Sequence, residues 1–333
     1  STGDFAVLEA KSLTSEVDAT FGMLADAFLR PALPPSEVEL GRQRQLASIR
    51  RDEEVPDGRL ALLVTKTVWS GHPYENRAIG TVESVSALGV DALRAHLEKL
   101  RQTSRLELVV VGDVDPSHVR ELVRGAFGSL PRGDFHEGPL PAPHFDKPHV
   151  EIQKAELPTN YIQASFIGPS LRDADVGAGV IAMTVLNNRV WEEVRTKRNL
   201  SYAPKAGFGF TADVPRGTLY VTAVDPTTTF KVMLDEAKKL AETPISDKEL
   251  ASAKAQFLTG NVTQNESTDG QASWLGLADL IGGDYRLSRT MLDRIKAVRV
   301  VDVQAFAKQR IKNLQTAVVG DPAKIDRALF ESL

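Results

Sequence analysis

The chain has 333 residues, 42% of them hydrophobic, which is enough for two ordinary domains with real cores. Its formal net charge of −4 gives no general attraction to nucleic acid or to an anionic membrane, and it has no apolar run of about eighteen residues to span a bilayer. The absence of Cys excludes disulfides, thiol catalysis and cysteine zinc sites, and fits either redox compartment.

Ser1 opens the sequence without a charged and apolar leader, as expected of a processed or trimmed terminus. Residues 5–10 predict a strand, and 17–29 an amphipathic helix stopping at Arg30-Pro31. Ser36-Glu37-Val38-Glu39 has the spacing of a capping box and starts a long polar helix through Arg51. Further helices fit 59–69, ending at Gly71-His72-Pro73-Tyr74, and 89–100. The continuous apolar run 106–111 suits a buried strand. It is closed by Gly112-Asp113, with Asp115 as N-cap and Pro116 in the first position of the next helix.

Residues 131–148 hold five prolines and two glycines without periodicity and predict a linker, so the expected domains are 1–130 and 149–333. Beyond it, strands fit 150–155, 161–166, 200–211, 218–224 and 314–319. Helices fit 174–186, 188–197, 228–242 and 247–262, and two more precede the last strand. Strands and helices come in mixed runs, which predicts an α+β fold.

The second half repeats the first. Met23-Leu24 recurs as Met233-Leu234, Ser36 to Leu40 as Ser246 to Leu250, and Asp57-Gly58 as Asp269-Gly270. His72-Pro73-Tyr74 matches Gly283-Asp284-Tyr285, and Gly112-Asp113 matches Gly320-Asp321. All five offsets lie near 210, which predicts two copies of one α+β domain and not a solenoid. The same offset predicts that the first copy is N-terminally truncated and lacks a head of about sixty residues.

Chemistry concentrates in residues 189–202. Val190, Trp191 and Val194 among charges suit a short helix, Asn199 a left-handed stop, and the extended pattern from Leu200 a strand that Pro204 makes an edge or a bulged one. Arg195 near the helix end and Tyr202 at the strand start are thereby turned to one surface, offering several donors and no carboxylate.

The run Val194 to Tyr202 resembles the R/Y motif of the insulinase/pitrilysin-type zinc metallopeptidases, the inverzincins. The Ser-x-x-Glu-Leu helix start, His-Pro-Tyr and Val-Val-Gly-Asp are also similar to landmarks of that family, in its order. The resemblance implies a tandem pair of sandwich domains in which Arg195 and Tyr202 bind the substrate peptide near its scissile carbonyl. It also implies zinc held by an H-x-x-E-H helix in the first copy, with a further Glu as third ligand. None of His72, His96, His118, His136, His144 and His149 stands in that spacing. Aligning the family pattern onto the helix after Ser36 places Arg50 where the third-ligand Glu belongs, and a cation there repels a divalent metal. Only a slip of about one turn would bring in Glu53 or Glu54.

Weaker constellations remain. His136, His144 and His149 with Asp134 and Asp146 read as a solvated linker, and Val109 to Asp113 lacks the glycine pattern of a phosphate loop. Arg189, Arg195, Lys197, Arg198 and Lys205 are interrupted by Glu192 and Glu193, which disfavours nucleic acid and fits a partner for the helix C-terminal dipole or an anion-tolerant peptide groove. The expected function is a non-catalytic, peptide-binding subunit that binds no cofactor itself. It would close like a clamshell on a zinc-bearing family member in a hetero-oligomer, or on a second copy of itself. The alternatives are the C-terminal portion of a single-chain active zinc metalloendopeptidase, or a structural subunit like the respiratory-complex core proteins. On family grounds the compartment leans to the periplasm.

Overall fold

A computed structural model of the chain describes residues 2–136, 138–141, 143, 145–209 and 214–333. His144 of the expected linker, and Phe210 and Thr211 at the end of an expected strand, lie outside that set. Helices make up the first part: α1 (Val17–Leu29), α2 (Pro35–Glu54), α3 (Pro56–Val68), α4 (Val82–Ala87), α5 (Val90–Leu100) and α6 (Pro116–Phe127). Asp115 caps α6 through a 2.8 Å bond from Ser117 N, with Pro116 at its first position. α3 starts three residues before its expected bound, because Pro56 has its φ preset for a helix start and no N–H to leave unpaired.

The strands expected at 5–10 and 106–111 do not form. Both stretches are irregular, and they leave Val7 66%, Leu8 54%, Leu108 41% and Val110 41% exposed. An apolar run becomes a strand only when neighbouring strands satisfy its backbone, and neither stretch has one among the described residues.

From residue 149 the order is β1 (His149–Lys154), β2 (Asn160–Ile167), α7 (Val176–Val190), a π-helical segment Trp191–Lys197, β3 (Lys205–Phe208) and β4 (Arg216–Ala223). It continues with α8 (Pro226–Glu242), α9 (Asp247–Gln264), α10 (Thr268–Leu280), α11 (Leu287–Ala297), α12 (Val300–Arg310), β5 (Gln315–Gly320) and the short α13 (Arg327–Phe330). Three helices, not two, lie between α9 and β5. The five strands form one sheet in the order β1-β5-β2-β4-β3, parallel between β1 and β5 and antiparallel elsewhere. The fold is therefore mixed α and β, with helices covering a mostly antiparallel sheet.

Alternation along β5 decides what covers each face. Ala317 and Val319 pack with Leu60, Val64, Val68 and Trp69 at and just past α3, while α7, α8 and α12 pack on one another, α7 on the edge strand β3 and α8 on its neighbour β4. Ile162, Val221 and Val318 lie abreast on three neighbouring strands, and all are fully buried. At Gly217 a Cβ would come within 2.0 Å of the Phe166 ring, so only glycine lets that ring lie on the sheet.

The compact units do not follow the expected bounds at 130 and 149. One unit comprises 1–50, 77–139 and 264–276; the other comprises 51–76, 140–263 and 277–333. The apolar stripe of α3 has a sheet face to bury against, which draws 51–76 into the second unit. The proline-rich stretch divides in the same way. Thr103 and Ser104 bond the carbonyls of Pro131 and Arg132, whereas Asn313 and Gln315 hold those of Phe145 and Lys147.

Helix order recurs along the chain. α5 and α12 are both 11 residues long and start 210 residues apart, at Val90 and Val300. α3 and α10 are both 13 residues long and carry a Gly in third place, Gly58 and Gly270. A Cβ there would meet the carbonyl oxygen six residues upstream, at 2.3 Å on Asp52 and 1.8 Å on Gln264. A capping box forms at the start of α9: Ser246 N and Oγ donate to Glu249, and Glu249 N donates back to Ser246 Oγ.

Candidate functional site

α7 is buried along most of its length and does not stop at Leu186. The N–H of Trp191 is shared between the carbonyls of Asn187 and Asn188, and the chain widens into the π-helical segment without a break. The two helices expected at 174–186 and 188–197 are therefore one continuous rod. Wide turns of this kind are rare and frequent at functional sites. Asn199 ends it at φ 49°, in the left-handed region expected of it, and Leu200 N reaches back to Val194 O at 2.9 Å.

That ending folds Tyr202 back over the last turn. The guanidinium carbon of Arg195 sits 4.4 Å from the centre of the Tyr202 ring, and Arg195 Nη1 donates to Asn199 Oδ1 at 3.2 Å. Tyr202 is 74% exposed and Arg195 partly so. The two residues singled out in the sequence are thus in contact at the surface.

Their neighbours are paired off. Arg189, 14% exposed in its side chain, donates to Glu249 at 2.8 Å. Burial pulls the Glu249 carboxyl up, but hydrogen bonds from Arg189 and Ser246 outweigh it and hold the pKa at about 2. Glu193 takes Lys197 at 2.7 Å and also Arg198; the Lys197 bond, then that of Arg198, brings its pKa to about 2. Arg198 also bonds the Glu193 carbonyl. Arg195 has no carboxylate partner among the described residues, so it carries the uncommitted charge of this segment.

β3 follows as an edge strand after Pro204, as expected. The outward N–H of Ala206 is spent on Asn187 Oδ1 at 3.0 Å, so the open edge is partly closed by a side chain from α7.

The expected third-ligand position, Arg50, is an exposed cation on α2. Among the described residues no three His, Cys, Asp or Glu converge as a metal would require. These donors do not fit zinc. His72 is occupied: its Nδ1 accepts from Tyr74 N at 3.1 Å, so Nε2 carries the proton it gives to Pro141 O at 3.0 Å. Of the linker histidines, His136 is exposed, and His149 lies in β1, 3.6 Å from Glu151.

Several contacts had no signal in the sequence. Trp69, His72 and Tyr74 form a ring cluster with centroids 4.8–5.1 Å apart, and Arg216 lies 5.5 Å from Trp69 with a buried, unpaired Nη1. Tyr220 donates to Asp57 at 2.6 Å, and burial, then that bond, pushes its phenol above the ordinary range. Only the local sequence Trp-Ser-Gly-His-Pro-Tyr could have flagged the first cluster.

Residues 87–257, just over half of the chain and including both Arg195 and Tyr202, match the family described as "Peptidase M16 inactive domain". An "Uncharacterized zinc protease" of Mycobacterium leprae is 25% identical over 97% of this chain and 75% of its own length. The "Non-peptidase homolog YmxG" of Helicobacter pylori is 22% identical over 92% and 73%. A peptidase M16 inactive domain from Pseudomonas fluorescens shares the fold with a TM-score of 0.83 at 19% identity, over 94% of this chain and 76% of that one. A chain of complex III2 from Candida albicans does so with 0.73 at 18%, over 95% and 78%. No helix among the described residues is long and apolar enough to cross a membrane. With the R/Y spacing, the fold and the matched span in agreement, the chain belongs to the Peptidase M16 inactive-domain family, within the insulinase/pitrilysin-type group that its sequence resembles.

Proposed function

We propose that this chain is the non-catalytic, peptide-binding subunit of an M16 metallopeptidase, acting with a zinc-bearing family member. The observation that carries the proposal is Arg195, uncommitted to any carboxylate while its neighbours are paired, and resting on the exposed ring of Tyr202. Its N–H groups and the Tyr202 hydroxyl are donors brought side by side by the contact of the guanidinium with the ring. Such donors stabilise negative charge growing on a peptide carbonyl oxygen with little reorganisation, and losing one costs on the order of 10²–10³ in rate.

In this reading the partner holds the metal and pairs its own strand with the extended peptide. The Asn187 plug on β3 supports assigning that pairing to the partner, since this chain's nearest open edge is already engaged. Arg50 at the third-ligand position and the name "Non-peptidase homolog" of a relative support a subunit without a metal of its own. The recurring helices and the paired glycines support two homologous copies.

Reconstitution tests the proposal. The chain is assayed for peptidase activity and zinc alone, then mixed with a zinc-bearing family member encoded beside it. We expect activity only in the mixture, reduced about 10²-fold or more by R195A and about 10-fold or more by Y202F. Stoichiometric zinc and activity in the chain alone would instead support the C-terminal portion of a single-chain protease, as the names of the mycobacterial relatives suggest. A stable but inactive mixture would favour a structural role, for which the likeness to a complex III2 chain speaks.

A further inference from the structure

We infer that Arg216, with the Ser165 hydroxyl beside it, forms a carboxylate-binding site on the α3 face of the sheet, fitted to the free C-terminus or an acidic side chain of a peptide; this rests on the reading of the chain as a peptide-binding subunit. Along β4 the residues Gly217, Leu219, Val221 and Ala223 are buried. Arg216, Thr218, Tyr220 and Thr222 between them are half-buried and turn to the opposite face. The register sets Ser165 opposite Thr218 and Ile167 opposite Arg216. Ser165 and Arg216 are therefore diagonal neighbours on that face, about 7–8 Å apart. It is the face on which Ala317 packs with α3, since Ala317 lies opposite Gln163, two residues before Ser165.

Both neighbours carry an orphan. Arg216 Nη1 and Ser165 Oγ are buried, and neither has a hydrogen-bond partner. Buried polar groups left in that state cost free energy, and a charge costs more than a hydroxyl. No Asp or Glu among the described residues pairs with Arg216, and burial pulls its guanidinium below the ordinary range. Asp57, the acid against that face, is taken by the Tyr220 hydroxyl four residues further along β4.

The guanidinium is also held in place. Its carbon lies 5.5 Å from the centre of the Trp69 ring, which rests against His72 at 4.8 Å and Tyr74 at 5.1 Å. His72 is in turn tied to Tyr74 N and to the Pro141 carbonyl. A planar fork fixed on an aromatic face suits bidentate pairing with a carboxylate, and the hydroxyl beside it can donate to the same anion. A neutral amide would leave the cation uncompensated.

The test uses the full chain and three N-acetylated tetrapeptides, read by titration calorimetry: tetra-alanine with a free C-terminus, its C-terminal amide, and that amide with one Ala replaced by Glu. Wild type should bind at least one carboxylate peptide about 10-fold or more tighter than the neutral amide, and the peptide preferred names the source of the carboxylate. R216M should remove the preference without lowering the urea midpoint, because no buried charge is left behind. R216K, which has the charge but not the fork, should keep only part of it, and S165A should weaken it by about 2- to 10-fold. In the double variant W191F/W274F, Trp69 is the one indole left, and its emission should change with the preferred peptide and not with the neutral amide. Equal binding of all three peptides by wild type, or a preference that survives in R216M, would overturn the site. If R195A and Y202F still abolish activity in the reconstituted mixture, the proposed function stands without it. A carboxylate preference lost in R216M, beside R195A and Y202F that leave activity unchanged, would keep the site and sink the proposed function.

Discussion

Residues 106–113 and 314–321 carry nearly the same text, Leu-Glu-Leu-Val-Val-Val-Gly-Asp and Leu-Gln-Thr-Ala-Val-Val-Gly-Asp, and meet opposite fates. The second contains β5, buried at all six positions between β1 and β2. The first is irregular, has no sheet partner among the described residues, and leaves Leu108 and Val110 41% exposed. β-propensity is a statement about fitting a pleated, half-buried surface, and the neighbours supply that surface. Residues 149–167 provide them for β5.

The comparison breaks most sharply at one carboxylate placed in each copy. Val318 is fully buried and flanked by Ile152 and Ile162, so V318D buries a charge with no partner and should cost more than about 4 kcal/mol, unfolding the sheet unit. V110D should lie within about 0.5 kcal/mol of wild type. Urea denaturation followed by far-UV circular dichroism reads both. A large loss in V110D would mean that something covers 106–111 after all.

α3 and α10 are alike in length and in the place of their glycine, and there the same substitution should cost the same in both. Gly58 and Gly270 each stand where a Cβ would strike a backbone carbonyl, at 2.3 and 1.8 Å. G58A and G270A should each destabilise by about 1–3 kcal/mol, since a carbonyl at the end of the preceding helix cannot swing away as a side chain can. G22A and G41A, in α1 and α2 with nothing within 4 Å, should instead stabilise by about 0.4–1 kcal/mol. A neutral G58A beside a costly G270A would mean that the equivalence of α3 and α10 is one of sequence only.

These contrasts mark what could be read beforehand. β1, β2, β4 and β5, the caps at Asp115 and Ser246, and the stop at Asn199 follow local rules and lie where the residues put them. The contact of Arg195 with Tyr202 was legible because one turn and one left-handed residue separate them. Absent strands, the α3 stripe buried on a distant sheet and the unbroken passage from α7 into the π-helical segment were not, because each depends on what lies alongside. Long-range pairs such as Tyr220 with Asp57 leave no periodicity to detect.

Charge gives the smallest but most specific contrast, between the two ion pairs that frame the site. Glu193 lies within one turn of both its partners, whereas Glu249 joins the α9 cap to Arg189 at the end of α7. Removing Glu249 takes away the one partner Arg189 has among the described residues, with Nη1 already buried and unpaired. E249A should therefore cost about 2 kcal/mol, below the ~3–5 of a fully buried pair because Glu249 faces solvent. R189M should cost less, because no buried charge is left behind. Both carboxyls are held at about 2 in the folded chain against 4.5 as free groups. Their stabilisation is then complete above about pH 4.5 and is lost as pH falls through about 2, the sign required of a depressed carboxyl. Urea midpoints from pH 6 to 2 should fall less steeply in E249A than in wild type, with Glu193 supplying the slope that remains. An unchanged slope would mean that the Arg189–Glu249 pair is not formed in solution, and that the end of α7 rests on the Glu193 clamp alone.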